Sequence, residues 1–235
     1  MTPSRAMVLA AWRCERLRPL TDRLPKPMVP VGGRAMIDRV LDRLADAGVA
    51  LAVVNTWHRA DIIEAHLAAR SRPRIVVSRE ETLLDTGGGT VRALPHLGAD
   101  PFYIAAAKMV WRDGARPALN RLAEVWDDAR MDALLLLQPC AKALGFEHPG
   151  DFSLGDDGRL ARRGSAPTAP FAFTSLQLVH PRLFADPPHG AFSLNLVWDR
   201  AIAAGRLFGL VHDGDWCNVS SPGGLALAEA RSWDG

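Results

Sequence analysis

The chain reads as an α/β protein built on a doubly wound, mostly parallel sheet. Two observations carry that expectation: runs of strand length that are apolar on both faces, and runs of helical period set between them. A length of 235 residues lets one body of this class bury a large core, so a single domain over residues 1–235 is expected.

Met7 to Ala11, MVLAA, has no polar position, as a strand covered by helices on both sides requires, so the first strand is placed at residues 6–11. Met36, Ile37, Val40, Leu41 and Leu44 recur at helical spacing and stop at Ala47-Gly48, a helix end. The alternation then repeats. Strand 51–55, helix 60–70, strand 74–78, a glycine turn at 87–89, helix 91–97, strand 102–106, helix 117–126 and strand 133–138 follow in order. Right-handed crossovers between such units give a Rossmann-like sheet. Past residue 150, Asp157-Gly158 between two short alternating runs signals a hairpin, and 171–179 reads as a long strand. The stretch from about 143 to 192 is therefore read as a β-rich insertion. A helix at 193–204, a strand at 207–212 and a closing helix at 222–230 complete the order.

Composition narrows the partners. Basic residues number 28 against 26 acidic, and only Lys26, Lys108 and Lys142 are lysines; the arginines are scattered and form no stripe, which argues against nucleic acid. Cys14, Cys140 and Cys217 are odd in number and lack CxxC spacing, so neither a disulfide framework nor a zinc ribbon is expected, and a reduced cytoplasmic setting fits. The apolar run 6–12 is too short to span a membrane and has no signal-peptide pattern. A small-molecule ligand is the expected partner. In open α/β sheets ligands sit at the carboxyl ends of the strands, so loops 11–18, 55–59, 85–89 and 106–111 should share one crevice.

The residues of those loops carry a resemblance. MVLAA followed by LRPLT and LPKPMVPVGG, then MIDRVLDRLADAGV, LLDTGGGTVRALPHL, PFYIAAAKMVW, ALGFEHPGDF and WCNVSSP resemble, in order, the sugar-1-phosphate nucleotidyltransferases. The resemblance covers almost the whole chain and is nearest to the short bacterial members of the N-acetylmuramate-1-phosphate uridylyltransferase type, which lack a C-terminal β-helix. It implies the nucleotidyltransferase sheet and a Mg²⁺-assisted attack of a sugar phosphate on a nucleoside triphosphate, with rate supplied by positioning and charge neutralisation.

Three motif positions depart from that family. Its GxGTR loop, whose bare backbone approaches the triphosphate, reads Trp12-Arg13-Cys14-Glu15-Arg16 here. An uncompensated carboxylate ~4 Å from a phosphate costs roughly 4 kcal/mol at an effective dielectric near ~20. The family's NGD motif, whose Asp holds the metal, reads Ala106-Ala107-Lys108, and Mg²⁺ needs oxygen ligands that an ammonium cannot provide. The closing Asp or His before Val-Gly-Thr-Pro reads Asn218 before Val219-Ser220-Ser221-Pro222. Arg16, Lys26, Asp85, Gly87, Gly88, Gly89 and Asn195 match the family and are expected to keep its nucleotide and sugar contacts.

The departures concentrate at one place, which implies a rebuilt, engineered pocket. On that reading Mg²⁺ is needed only if nucleotidyl transfer is retained, no other cofactor is expected, and no metal ligands are assigned. The catalytic residue is Lys108, an amine emerging into an apolar cavity, where desolvation favours the neutral nucleophile and Schiff-base chemistry of retro-aldolase type. Trp12, Cys14, Glu15, Met109 and Asn218 are the pocket residues. Two alternatives stand beside this: a residual sugar-1-phosphate nucleotidyltransferase, and a non-catalytic binder of a nucleotide or sugar phosphate. Single residues also keep plainer readings, Trp12 as a packing aromatic, His58 as scaffold, the cysteines as free thiols and Lys108 as a partner of Glu15.

Overall fold

The computed structural model describes residues 2–233. In chain order its strands are β1 (Arg5–Leu9), β2 (Pro30–Val31), β3 (Arg34–Ala35), β4 (Leu51–Thr56), β5 (Arg74–Arg79), β6 (Phe102–Ala106), β7 (Met109–Arg112), β8 (Ala133–Pro139), β9 (Ala143–Leu144), β10 (Phe152–Leu154), β11 (Leu160–Arg162), β12 (Phe171–Val179), β13 (Leu207–Val211) and β14 (Asp215–Asn218). Its helices are α1 (Leu20–Arg23), α2 (Met36–Asp46), α3 (Ala60–Leu67), α4 (Asp85–Leu97), α5 (Ala118–Val125), α6 (Asn195–Ala203) and α7 (Pro222–Glu229).

The main sheet runs β11-β10-β12-β6-β1-β4-β5, with β8 on β12 and β13 on β8. Its central strands are apolar on both faces because both faces are covered. In β1, Ala6 and Val8 enter one core cluster with Ala52, Val54, Tyr103 and Ala105, while Met7 and Leu9 enter the other with Leu51, Val53, Phe102 and Ile104. This period of two, repeated in β4 and β6, is the physical content of the apolar runs. Tyr103 is fully buried, and its hydroxyl donates to the Leu119 carbonyl at 2.9 Å. That bond removes the cost of burying the phenol and ties α5 to the sheet.

The sheet is mixed rather than mostly parallel. β1 pairs in parallel with β4 and β6, and so do β4 with β5 and β8 with β13, whereas β12 runs antiparallel to β6, β8 and β10. The reason lies in the connection: β12 is reached through the β10–β11 hairpin and not through a crossover helix. The segment read as an insertion therefore supplies a central strand. A second sheet, β7-β14-β9, stands beside the first, and the sequence reading had no strand at Met109–Arg112 or Asp215–Asn218. Among the described residues no helix is long and apolar enough to cross a membrane.

Residues 87–89, expected to form a glycine turn, are helical. All three glycines are buried in the first turns of α4, which begins at Asp85.

Candidate functional site

The loop after β1 is held from below by Asn55 at the end of β4. Its Oδ1 accepts from the Ala10 amide at 2.8 Å, and its Nδ2 donates to buried Glu80 at 2.8 Å. Glu80 in turn accepts from the Leu84 amide at 2.9 Å, and burial raises its pKa. The strand end, the next strand end and the start of α4 are thus locked together before any ligand is considered.

Above this frame lies a cavity of about 300 Å³. Trp12, Arg16, Lys108, Asn195 and Asn218, all singled out from sequence, line it together with Phe146, His148, Asp151, Phe173, Ser175, Trp198 and Trp216. A second cavity, which shares Trp12, Arg16, Lys108 and Ser220 with the first, is lined also by Arg13, Cys14, Glu15 and Lys26. The residues nominated around the first loop and Lys108 do meet.

Lys108 follows β6, where its amide donates to the Ala106 carbonyl at 2.8 Å and its carbonyl accepts from Val219 at 3.1 Å. Its ammonium lies 5.6 Å from the centre of the Trp12 ring, a cation–π contact, and makes no hydrogen bond or ion pair among the described residues. Burial is the main cause that lowers its pKa; Asp151 and Cys14 oppose that effect and Arg16 adds to it. Asp151 Oδ2 accepts from the Phe173 amide at 2.8 Å, which fixes the carboxylate at the cavity edge.

Lys26 is buried, and its amine donates to Ser220 Oγ at 2.9 Å. Its pKa is lowered to about 8, first by burial and then by Lys108 and Arg16, with Cys14 opposing. Ser220 Oγ donates to Asn218 Oδ1 at 2.8 Å, and Asn218 Nδ2 reaches the Gly145 carbonyl at 3.3 Å. On the far wall Asn195 accepts from Arg162 at 3.1 Å, and Arg162 stacks over Phe152 and Trp198.

Several nominated residues lie elsewhere. Met109 is fully buried in the core with Ala107 and Trp111, because strand alternation sends 108 and 109 to opposite faces. Gly87 and Gly88 spend their amides on the Phe192 carbonyl, at 2.8 and 3.2 Å, so neither offers an N–H to a phosphate. A Cβ on Gly87 would collide with the Phe192 ring and lie 2.8 Å from its carbonyl oxygen, and one on Gly89 would meet Asn55 and Glu80 at 2.8 Å, so these glycines serve close packing. Asp85 is exposed, has a φ of +60°, and accepts from the Thr86 amide. Glu15 is exposed and forms no ion pair among the described residues, so it is not the partner of Lys108.

Sequence reading missed Asp151, Phe173 and Ser175, which come from the segment set apart as an insertion, and also Trp198 on α6 and Trp216 on β14. One signal is visible only in the backbone. Ser175 sits at a register shift in β12 with a φ of +70°, a left-handed conformation that a serine rarely adopts, and it faces the cavity.

The mixed α/β sheet carries its cavity at the strand ends, and the chain belongs to the nucleotidyl transferase family, whose model matches residues 5–145. It is 42% identical over 234 residues, 97% of each chain, to N-acetylmuramate alpha-1-phosphate uridylyltransferase of Caulobacter vibrioides. It is 30% identical over 230 residues, 96% of this chain and 97% of the relative, to the protein of that name from Neisseria meningitidis serogroup B. Among solved structures it is similar to a UDP-glucose pyrophosphorylase complexed with UDP-glucose, with a TM-score of 0.80 at 14% identity over 96% of this chain and 97% of that one. The inositol-1-phosphate CTP transferase from T. maritima gives 0.78 at 16% identity over 97% and 95%. These two show the fold.

The donor set does not fit the divalent cation that the family resemblance implies. Lys108 and Asn218 occupy the two metal-side positions, and among the described residues no group of three or more His, Cys, Asp or Glu could hold a metal. Asp151 is the carboxylate that lines this cavity, and it shares the lining with the cations Arg16, Lys108 and Arg162.

Proposed function

We propose that this family member has lost Mg²⁺-dependent nucleotidyl transfer and that its rebuilt pocket works through the Lys108 amine on a carbonyl substrate, as a Schiff-base catalyst of retro-aldolase type. One observation carries the reading: Lys108 stands in the cavity with the Trp12 ring against its amine and, among the described residues, no acid bonded to it. An amine so desolvated is held toward its neutral, nucleophilic form.

In a β-hydroxyketone the Lys108 nitrogen adds to the carbonyl carbon, and loss of water gives an iminium. Removal of the β-hydroxyl proton breaks the carbon–carbon bond, the electron pair passes to the iminium, and an aldehyde leaves. Protonation of the resulting enamine and addition of water free the ketone and the amine. Asp151, with one oxygen fixed by the Phe173 amide, is the carboxylate placed to take and return protons. Trp12 and Trp216 offer flat apolar walls to an aryl group.

A second reading has its own observation. Arg16, Lys26 and Lys108 repel one another, since Arg16 lowers the pKa of both lysines. An anionic ligand would relieve that repulsion, and a nucleotide or sugar phosphate, the substrates named for the relatives, is of the required charge. This is the binder without turnover.

Borohydride reduction with an aldehyde or β-hydroxyketone, followed by peptide mapping, separates the two. An adduct on Lys108 supports the amine reading, and its absence overturns it. Saturable UTP binding with no chemistry supports the binder. Chelator-sensitive pyrophosphate release from UTP, Mg²⁺ and a sugar 1-phosphate would contradict both and restore the transferase.

A further inference from the structure

Beside Lys108 runs a polar chain whose hydroxyl neither reading uses. It consists of Lys26 Nζ, Ser220 Oγ and Asn218 Oδ1, linked at 2.9 and 2.8 Å, and it lies at the junction of the two cavities. Ser220 occupies a position where the family resemblance expects a glycine, so the hydroxyl is an addition to the site.

We propose that Ser220 and Lys26 form a serine–lysine nucleophilic dyad that accepts an acyl group from an aryl or anion-bearing carboxylic ester. The geometry supplies the main requirement, a hydroxyl oxygen within hydrogen-bond reach of a lysine nitrogen that has no carboxylate partner among the described residues. Burial supports it, because the amine loses its proton at about 8 and is then a base of suitable strength near neutral pH. Asn218 fixes the hydroxyl in the interval, and rotation of the O–H from Asn218 to the neutral Lys26 nitrogen needs no movement of heavy atoms.

The chemistry balances within the site. Ser220 gives its proton to Lys26 Nζ as Oγ bonds to the ester carbonyl carbon, and the tetrahedral oxyanion faces the Arg16 guanidinium, whose charge bears on Lys26. Collapse breaks the bond to the leaving alcohol or phenol, which takes the proton back from Lys26. Water then attacks the acyl-serine, loses its proton to Lys26, and the carboxylic acid departs as Ser220 is reprotonated. Trp12, on the wall of both cavities, gives an aryl leaving group a flat apolar surface.

The test uses the full chain with p-nitrophenyl butyrate and, separately, an aryl fluorophosphonate, read by intact mass and peptide mapping. The dyad predicts one group per chain on Ser220, a labelling rate that rises with pH through about 8, and a loss of at least about tenfold in Ser220→Ala and Lys26→Met. The peptide map of the unsubstituted protein decides the question even if a variant does not fold. Label on Lys108, Lys26 or Cys14, unchanged labelling of folded Ser220→Ala, or no label at all overturns it. The Lys108 reading fails or stands separately, on whether an imine is trapped at that residue.

Discussion

Replacing Lys26 with Met removes a buried charge while keeping most of the side-chain volume. The pKa of Lys26 falls from 10.5 to about 8 in the folded protein, mainly because burial disfavours the ammonium. At ~1.4 kcal/mol per unit, that shift is a cost of about 3 kcal/mol carried by the folded state wherever both states are protonated. Loss of the hydrogen bond to Ser220 returns about 1 kcal/mol of that, so Lys26→Met should be about 2 kcal/mol more stable near neutral pH. The sign follows from a depressed folded-state value. The stability allowed by the neutral amine is complete above the unfolded pKa of 10.5 and is lost as the pH falls to about 8. The advantage of the variant should therefore be constant below about 8, shrink by ~1.4 kcal/mol per unit as the pH rises above it, vanish after about 1.5 units and be fully reversed by 10.5. Urea unfolding of both proteins across that range measures it. A variant less stable at neutral pH, or a difference that does not change with pH, would refute the reasoning.

Gly87→Ala drives a methyl into the Phe192 ring and to 2.8 Å from its carbonyl oxygen, and should cost about 1–3 kcal/mol in urea unfolding; a neutral result would mean that the α4 start is looser than described. Ser175→Gly should stabilise by about 0.5–1 kcal/mol, because relief of roughly 1–2 kcal/mol of left-handed strain exceeds the added unfolded-state entropy of glycine. A loss of stability would show that the Ser175 side chain earns its conformation through contacts.

The parallel half of the sheet was legible because β1, β4 and β6 have no polar face to hide, and their apolar runs admit few other structures. β12 was also placed at Phe171–Val179, but its partners were not, since strand order and direction depend on residues far away in sequence. β7 and β14 escaped because each is four residues long, and Met109 was assigned to the wrong face for the same reason. Within the site, Trp12, Arg16, Lys26 and Lys108 were found by motif position. Gly87–Gly89 show the limit of that method: the motif is present, yet its amides and open faces are taken by Phe192, Asn55 and Glu80. Ser220 carried no warning in sequence beyond standing where a glycine was expected.

The central claim is that Lys108 acts as a neutral amine in a pocket that no longer suits Mg²⁺. Its most direct test is the pH dependence of borohydride-trapped imine at Lys108 with a β-hydroxyketone, quantified by peptide mass. The account predicts trapping on Lys108 with a midpoint below the ordinary lysine value of 10.5 and no dependence on Mg²⁺. Trapping that appears only at other lysines, or that rises on Lys108 with an unshifted midpoint, would contradict it.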